Sequence, residues 1–322
     1  MKAIVHHEYG SPDVLELQEV AKPIVKDDDM LVRVHAASVN PLDWHFVRGT
    51  PYLVRMQAGL SRPKNHIPGV DVAGQVEEVG RNVTKFQPGD EVFGGSGGSF
   101  AEYVCVSEGR VVLKPANVTF EQAAAVPIAA LTALQGLRDK GGIRQGHKVL
   151  INGASGGVGT FAVQIANSFG AEVTGVCSTR NVDMVRSIGA DQVIDYAQES
   201  FTEGGRRYDL ILDMVGNRSM SECRRTLNPE GTYVSVGAAQ MGDWVGPLTA
   251  ALKVLVGSLL GSQKMVPMLT KQTNEDLVVL QELLESGEMT PVIDRQYELS
   301  EVPQAIRYLE EGHAQGKVVI TM

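Results

Sequence analysis

Residues 148–170 read KVLINGASGGVGTFAVQIANSFG. Val149, Leu150 and Ile151 form a short apolar run, as in a strand buried on both faces. A glycine-rich turn follows, Gly153-Ala154-Ser155-Gly156-Gly157-Val158-Gly159. Val158, Phe161, Ala162, Ile165, Ala166 and Phe169 then recur at helical spacing, and Gly170 closes the run. Strand, glycine turn and helix in that order predict a dinucleotide-phosphate site. Glycines let the backbone approach a pyrophosphate, and the free N–H groups at the helix start receive its charge. Against the usual G-x-G-x-x-G, Ala154 takes the first position, with Gly156 and Gly159 at the second and third. The plainer alternative is a tight turn that only packs a helix on a sheet.

Working outward, the chain has 322 residues, enough for two domains. Its 43% hydrophobic and 21% charged content is that of a soluble globular protein. A net charge of −9 and the lack of a basic stripe argue against nucleic-acid binding. Cys105, Cys177 and Cys223 are far apart, which gives neither a disulfide framework nor a zinc ribbon and fits a reducing, cytoplasmic setting. Met1 runs straight into a strand pattern at Lys2–Val5, so no signal or transit peptide is expected. No apolar run has the length of a transmembrane helix.

Residues 1–122 read as β-rich, with strands at Lys2–Val5, Leu31–Ala37, Val72–Val79, Glu91–Phe93 and Ala101–Val106, divided by Gly, Pro, Asp and Asn. From 123 the pattern alternates. A helix over Ala123–Leu137, interrupted at Pro127, is followed by strands at 148–152, Glu172–Cys177, Gln192–Asp195, Asp209–Leu212 and Thr232–Val236, with helices at 157–169 and Asn181–Ile188. Such βαβα order implies a parallel sheet covered on both faces. Ala250–Leu260 is apolar apart from Lys253 and Ser258. It is a candidate lid, subunit contact or peripheral membrane element, with a core or partner-covered helix as the plainer reading. Thr273–Ser286 reads as a capped helix and Ser300–Glu311 as another, before a closing strand at Lys317–Thr321. The tail is expected to return to the first domain.

The second strand of a dinucleotide fold ends where the cofactor is chosen, and NAD sites usually place Asp or Glu there. Here the strand ends at Cys177 and continues Ser178-Thr179-Arg180-Asn181. With no carboxylate to repel a 2′-phosphate and a guanidinium to pair with it, NADPH is favoured over NADH.

The chain resembles the zinc-independent quinone oxidoreductase branch of the medium-chain dehydrogenase/reductase superfamily, nearly end to end. The resemblance rests on NPLDWHFVRG at 40–49, PGVDVAG at 68–74, the G-x-x-V-x-x-F-x-x-G-D-x-V-x-G series from Gly80 to Gly94, and ASGGVG at 154–159. CSTRN at 177–181, DY at 195–196 and EGHAQGKVVI at 311–320 are most similar to reticulon-4-interacting and chloroplast-envelope quinone oxidoreductase-like proteins. The resemblance implies a GroES-like catalytic domain at 1–122, completed by 288–322, and a Rossmann domain at 123–287, a doubly wound parallel sheet. It implies NADPH and a homodimer. It places Ser155, Gly156, Gly157 and Val158 on the pyrophosphate, Ser178 and Arg180 at the 2′-phosphate, and Tyr196 along the adenosine. Val215 and Gly237 would line the nicotinamide half, with Thr132 beside it. His313, Ala314 and Gln315 would reach the cofactor from the tail, although many relatives carry Arg where Gln315 stands.

The zinc-dependent branch needs thiolate and imidazole ligands at set places. By resemblance its first Cys falls at Asn40, its Gly-His-Glu becomes Gly69-Val70-Asp71, and its last Cys falls near Ile128. No metal is therefore expected. Without a Lewis acid, the favourable chemistry is hydride transfer to an electrophilic π system, a quinone or an α,β-unsaturated carbonyl. The anion formed needs hydrogen bonds and a proton. Asn40 is the candidate donor and Tyr52 a candidate wall or second donor, against a turn residue before Pro41 and plain packing as their bland readings. Reduction of 2-enoyl thioesters or lipid-derived carbonyls, and NADPH binding by an adaptor with little turnover, are the competing functions.

Overall fold

The computed structural model describes residues 1–236 and 262–322; Gly237 and the 250–260 segment lie outside them. The chain divides into two compact units. One comprises Met1–Leu131, Gln272–Gly287 and Pro291–Met322, the other Thr132–Lys271 and Glu288–Thr290.

The first unit begins with strands β1 (Lys2–Val5), β2 (Glu16–Glu19) and β3 (Asp29–Val39), then helices α1 (Pro41–Arg48) and α2 (Arg55–Ala58). Strands β4 (Asp71–Val79), β5 (Glu91–Gly95), β6 (Tyr103–Ser107) and β7 (Val111–Leu113) and helix α3 (Phe120–Ala124) follow. The division between units runs through α4 (Pro127–Gln135).

The second unit contains β8 (Lys148–Asn152), α5 (Gly157–Ser168), β9 (Glu172–Cys177), α6 (Val182–Ser187), β10 (Gln192–Asp195), β11 (Tyr208–Asp213), α7 (Met220–Arg225), β12 (Leu227–Ser235) and β13 (Lys264–Pro267). Helix α8 (Asn274–Glu285), strand β14 (Ile293–Glu298), helix α9 (Val302–Glu310) and strand β15 (Lys317–Thr321) belong to the first unit.

In the first unit β14-β15-β3-β4-β5-β7 form one sheet, with β6 pairing β3. Only β14 and β15 run parallel; the other pairs are antiparallel. Register shifts between Leu31 and Val32 and between Val34 and Ala36 bend β3 against β4. Strand β15 pairs with β3, Val318 opposite Val39, which ties the tail to the first unit. Val32, Val34, Val72, Val76, Val92, Val104 and Val106 fill one core; Ile4, Val39, Phe100, Ile306, Val318 and Ile320 fill another.

The unit boundaries differ from the 122/123 and 287/288 divisions read from sequence. Helix α8 carries its buried Leu277, Leu280 and Leu284 to the first unit. Asn274 Nδ2 donates to the Val111 carbonyl at 3.0 Å and Asn117 Nδ2 to the Leu284 carbonyl at 2.8 Å. Apolar periodicity revealed the buried face of this helix but not what covers it. Phe120 of α3 likewise stacks on His35 of β3, ring centroids 4.3 Å apart.

The second unit is a six-stranded sheet, order β10-β9-β8-β11-β12-β13, parallel throughout. Counted from β8 this is 3-2-1-4-5-6, whose order reverses between β8 and β11; ligands of such sheets bind beyond the carboxyl ends of the strands there.

Candidate functional site

In the second unit, β8 ends at Asn152 and the chain turns through Gly153, whose φ of +91° is open to glycine and strained for other residues. Gly156 takes the N-cap position of α5 with no side chain to cap it, leaving the first-turn N–H groups for a ligand. Gly159 lets the helix close on the turn: a Cβ there would meet the Gly153 carbonyl oxygen at 2.1 Å, whereas one on Gly156 would meet only that oxygen, at 3.5 Å. The cradle thus fits a pyrophosphate. Ser155 Oγ accepts from Asn181 Nδ2 at 2.9 Å, and the buried Asn181 Oδ1 has no partner.

At the end of β9, Cys177 is buried, Ser178 half-buried and Arg180 exposed. Thr179 Oγ1 donates to Asp195 Oδ2 at 2.6 Å, across from β10. Asp195 also accepts from Ala197 N and Gln198 Nε2, and these bonds, Thr179 first, hold its carboxyl below the usual carboxylate range. Its approach to the β9 terminus is not legible from local spacing. Tyr196 is 56% exposed, and its N–H donates to the Cys177 carbonyl at 3.1 Å.

At the reversal of strand order, Asp213 is fully buried at the end of β11. Its Oδ1 accepts from Asn152 Nδ2 at 2.9 Å, Val215 N at 2.9 Å and Gly216 N at 2.8 Å, and its Oδ2 from the Tyr233 hydroxyl at 2.8 Å. Burial and this carboxylate raise the Tyr233 phenol above its ordinary value. Asp213 therefore shapes the turn carrying Val215. A charged residue closing the apolar run Leu210-Ile211-Leu212 was the available sequence signal. Thr132, on α4, shares a hydrogen bond of 2.7 Å with the Thr270 hydroxyl.

In the first unit, Asn40 leads from β3 into α1 and is buried. Its Nδ2 donates to Asp71 Oδ2 at 2.8 Å and makes long contacts of 3.4 Å to the Ser38 carbonyl and hydroxyl, and the Asn40 side chain also acts on the Asp43 carboxyl. Its Oδ1 accepts from Lys317 Nζ at 2.6 Å. Ser38 Oγ donates to Asp71 Oδ2 at 2.8 Å and Ile128 N to Asp71 Oδ1 at 3.1 Å. Asp43 Oδ2 accepts from Asn40 N at 2.8 Å, while Asp43 Oδ1 has no partner. Burial pushes the Asp43 carboxyl up to about 7. It also pushes Asp71 up and the Lys317 ammonium down, each opposed by the other's charge. From sequence, Lys317 was only the start of a strand and Asp71 only the neighbour of the changed ligand position Val70.

Tyr52 opens a short 3-10 turn after α1, is 37% exposed and lies under Arg55, 4.8 Å from the ring centroid. His313, Ala314 and Gln315 follow α9; His313 is exposed, and Gln315 N donates to Asp294 Oδ2 at 2.9 Å. Among the described residues no group of three or more His, Cys, Asp or Glu is arranged to hold a metal.

Residues 26–116 match the alcohol dehydrogenase GroES-like domain family and residues 188–320 the zinc-binding dehydrogenase family. The chloroplast envelope quinone oxidoreductase homolog of Arabidopsis thaliana is 32% identical over 99% of this chain and 98% of its own. The 2-methylene-furan-3-one reductase of Solanum lycopersicum is 36% identical over 99% of this chain and 79% of its own. The mitochondrial NAD(P)H oxidoreductase RTN4IP1 of Mus musculus is 36% identical over 100% and 89%. Among solved structures, the quinone oxidoreductase of Coxiella burnetii superposes with a TM-score of 0.88 at 32% identity, covering 100% of this chain and 99% of that one. The Escherichia coli quinone oxidoreductase complexed with NADPH gives 0.83 at 26% identity, covering 100% of both. This chain belongs to the medium-chain dehydrogenase/reductase superfamily, in its quinone oxidoreductase branch.

Proposed function

We propose that the protein is an NADPH-dependent reductase that delivers hydride, without a metal, to a quinone or an α,β-unsaturated carbonyl. The observation that carries this reading is the uncapped glycine turn at the carboxyl end of β8, followed at the end of β9 by Ser178-Thr179-Arg180 rather than a carboxylate. The names of the relatives, quinone oxidoreductase and 2-methylene-furan-3-one reductase, support the acceptor class, and the NADPH complex of the E. coli enzyme supports the cofactor.

NADPH, when bound, supplies the hydride. Ser155, Gly156, Gly157 and Val158 hold the pyrophosphate through the turn and the first N–H groups of α5. Ser178 and Arg180 take the 2′-phosphate, since the Thr179 hydroxyl is already engaged with Asp195. Tyr196 flanks the adenosine, and the Asp213-held turn presents Val215 to the nicotinamide half. In the first unit Asn40 keeps one N–H only weakly engaged, at 3.4 Å, and this group meets the negative charge developing on the acceptor oxygen. Tyr52 is the candidate wall or second donor for the acceptor.

The test is NADPH consumption, followed by absorbance, with a para-quinone, an ortho-quinone, a short enone, an alkenal and an enoyl thioester, each repeated with NADH. Turnover of a quinone or enone with at least about tenfold higher kcat/KM for NADPH is expected. Preference for NADH, turnover of the thioester alone, or silence with every acceptor while NADPH binds would each overturn it.

A further inference from the structure

Asn40, Asp71 and Ile128 come from β3 and its exit, β4 and α4, and are far apart in sequence. Asn40 and Ile128 stand where the resemblance places two cysteine ligands of zinc-dependent members, and Asp71 follows Val70, where it places the histidine. In space they converge: Asn40 Nδ2 lies 2.8 Å and Ile128 N 3.1 Å from the Asp71 carboxylate. A fourth segment enters the cluster. Strand β15 pairs with β3, which brings Lys317 alongside Asn40, and the lysine is only 3% exposed. Its Nζ donates to Asn40 Oδ1 at 2.6 Å and to the Val39 carbonyl at 3.4 Å, and stands 3.9 Å from Asp71 Oδ2.

We propose that Lys317 is a positioning residue: its buried ammonium is the fixed cation of the acceptor site, and it acts on the substrate through Asn40. This rests on the reading of Asn40 given above. An ammonium only donates and an ionised carboxylate only accepts. With Lys317 on one side and Asp71 on the other, the Asn40 amide has a single orientation, oxygen to the lysine and NH2 to the aspartate. A positive charge on the amide oxygen also polarises the group and strengthens its N–H as a donor. That N–H is the one an anionic acceptor oxygen requires.

Charge balance fits the role. A buried ammonium needs a paired, hydrogen-bonded anion. Asp71 provides it, with Asn40 Nδ2, Ser38 Oγ and Ile128 N as donors. Asp71 from β4 and Asp43 from α1 are the charged groups acting on Lys317. Protonation of Asp43, whose Oδ1 no donor reaches, leaves the Lys317–Asp71 pair neutral overall.

The test compares Lys317→Arg, Lys317→Met and the double variant Lys317→Met/Asp71→Asn in the full chain, alone and combined with Asn40→Ala. Lys317→Met strands Asp71 and can fail to fold; the double variant removes both charges and guards against that outcome. Melting temperature and NADPH affinity are measured beside kcat and KM for the acceptors. The double variant should fold and keep its NADPH affinity and acceptor KM within about threefold, with kcat lowered at least about tenfold. Lys317→Arg should restore most of the rate. Adding Asn40→Ala to the double variant should cost little more, because both changes remove one device. A double variant with kcat near wild type, or one that loses melting temperature, NADPH affinity and KM together, overturns the proposal. A wild-type chain inactive with every acceptor defeats the proposed function itself, and the Lys317 role with it.

Discussion

Asp43 is buried beside Asp71, and its carboxyl is pushed up to about 7, chiefly by burial. The folded chain therefore keeps a proton that the unfolded chain releases near the ordinary Asp value of about 3.9. Stability from this group is fully present below that value and is lost as pH rises through about 7, with a slope of at most about 1.4 kcal/mol per pH unit. Asn in its place can still accept from the Asn40 N–H and does not titrate there. The melting temperature of Asp43→Asn relative to wild type should accordingly rise between about pH 5 and about pH 8. A difference that stays constant with pH would contradict the buried-proton account. Single residues were unevenly legible. Ser155, Ser178 and Arg180 are candidates from sequence because they lie just beyond the ends of β8 and β9, whose apolar runs sequence displays. Asp71 and Lys317 acquire meaning only through a contact between β3 and β15, 277 positions apart at Asn40 and Lys317.

Among the elements, the 148–170 stretch was the most legible, because strand, turn and helix are contiguous and each has its own period. Strand β8 and helix α5 fall where the apolar pattern puts them. The turn differs in one detail. The G-x-G-x-x-G pattern puts Ala154 at the first glycine position, whereas the left-handed residue is Gly153. Ala154 is fully buried and its methyl packs under Gly175 of β9, a tertiary contact that local spacing does not reveal. Gly159 is the position where the element's packing and its ligand site coincide. Gly159→Ala drives a methyl into the Gly153 carbonyl, a backbone atom that cannot swing aside. The variant should lose about 1–3 kcal/mol of unfolding free energy and bind NADPH more weakly. Urea unfolding followed with and without NADPH checks both; unchanged stability and affinity would show that the close approach does not matter.

On the scale of the whole molecule, alternating strands and helices were enough to predict a parallel sheet, and glycine- and proline-divided apolar runs a bent β-rich domain. Unit boundaries were less legible. Helix α8 belongs with β7 through Asn274 and Asn117, side chains whose partners lie more than 160 residues away in sequence. The candidate sites are distributed in the same way: the glycine turn is one continuous stretch, whereas the Asn40 cluster is assembled from β3, α1, β4, α4 and β15. The proposed function assigns the two parts to one reaction, hydride from NADPH to an electrophilic carbon, with the Lys317 ammonium and the Asn40 amide as the proposed charge-stabilising groups. The most direct test is label transfer by chelator-treated protein from 4,4-dideuterated NADPH to a short enone, read by mass spectrometry and NMR. The account predicts one deuterium at the β-carbon of the reduced product, at the rate of untreated protein. Product without the label at that carbon, or activity lost on chelation and restored by zinc, would contradict it.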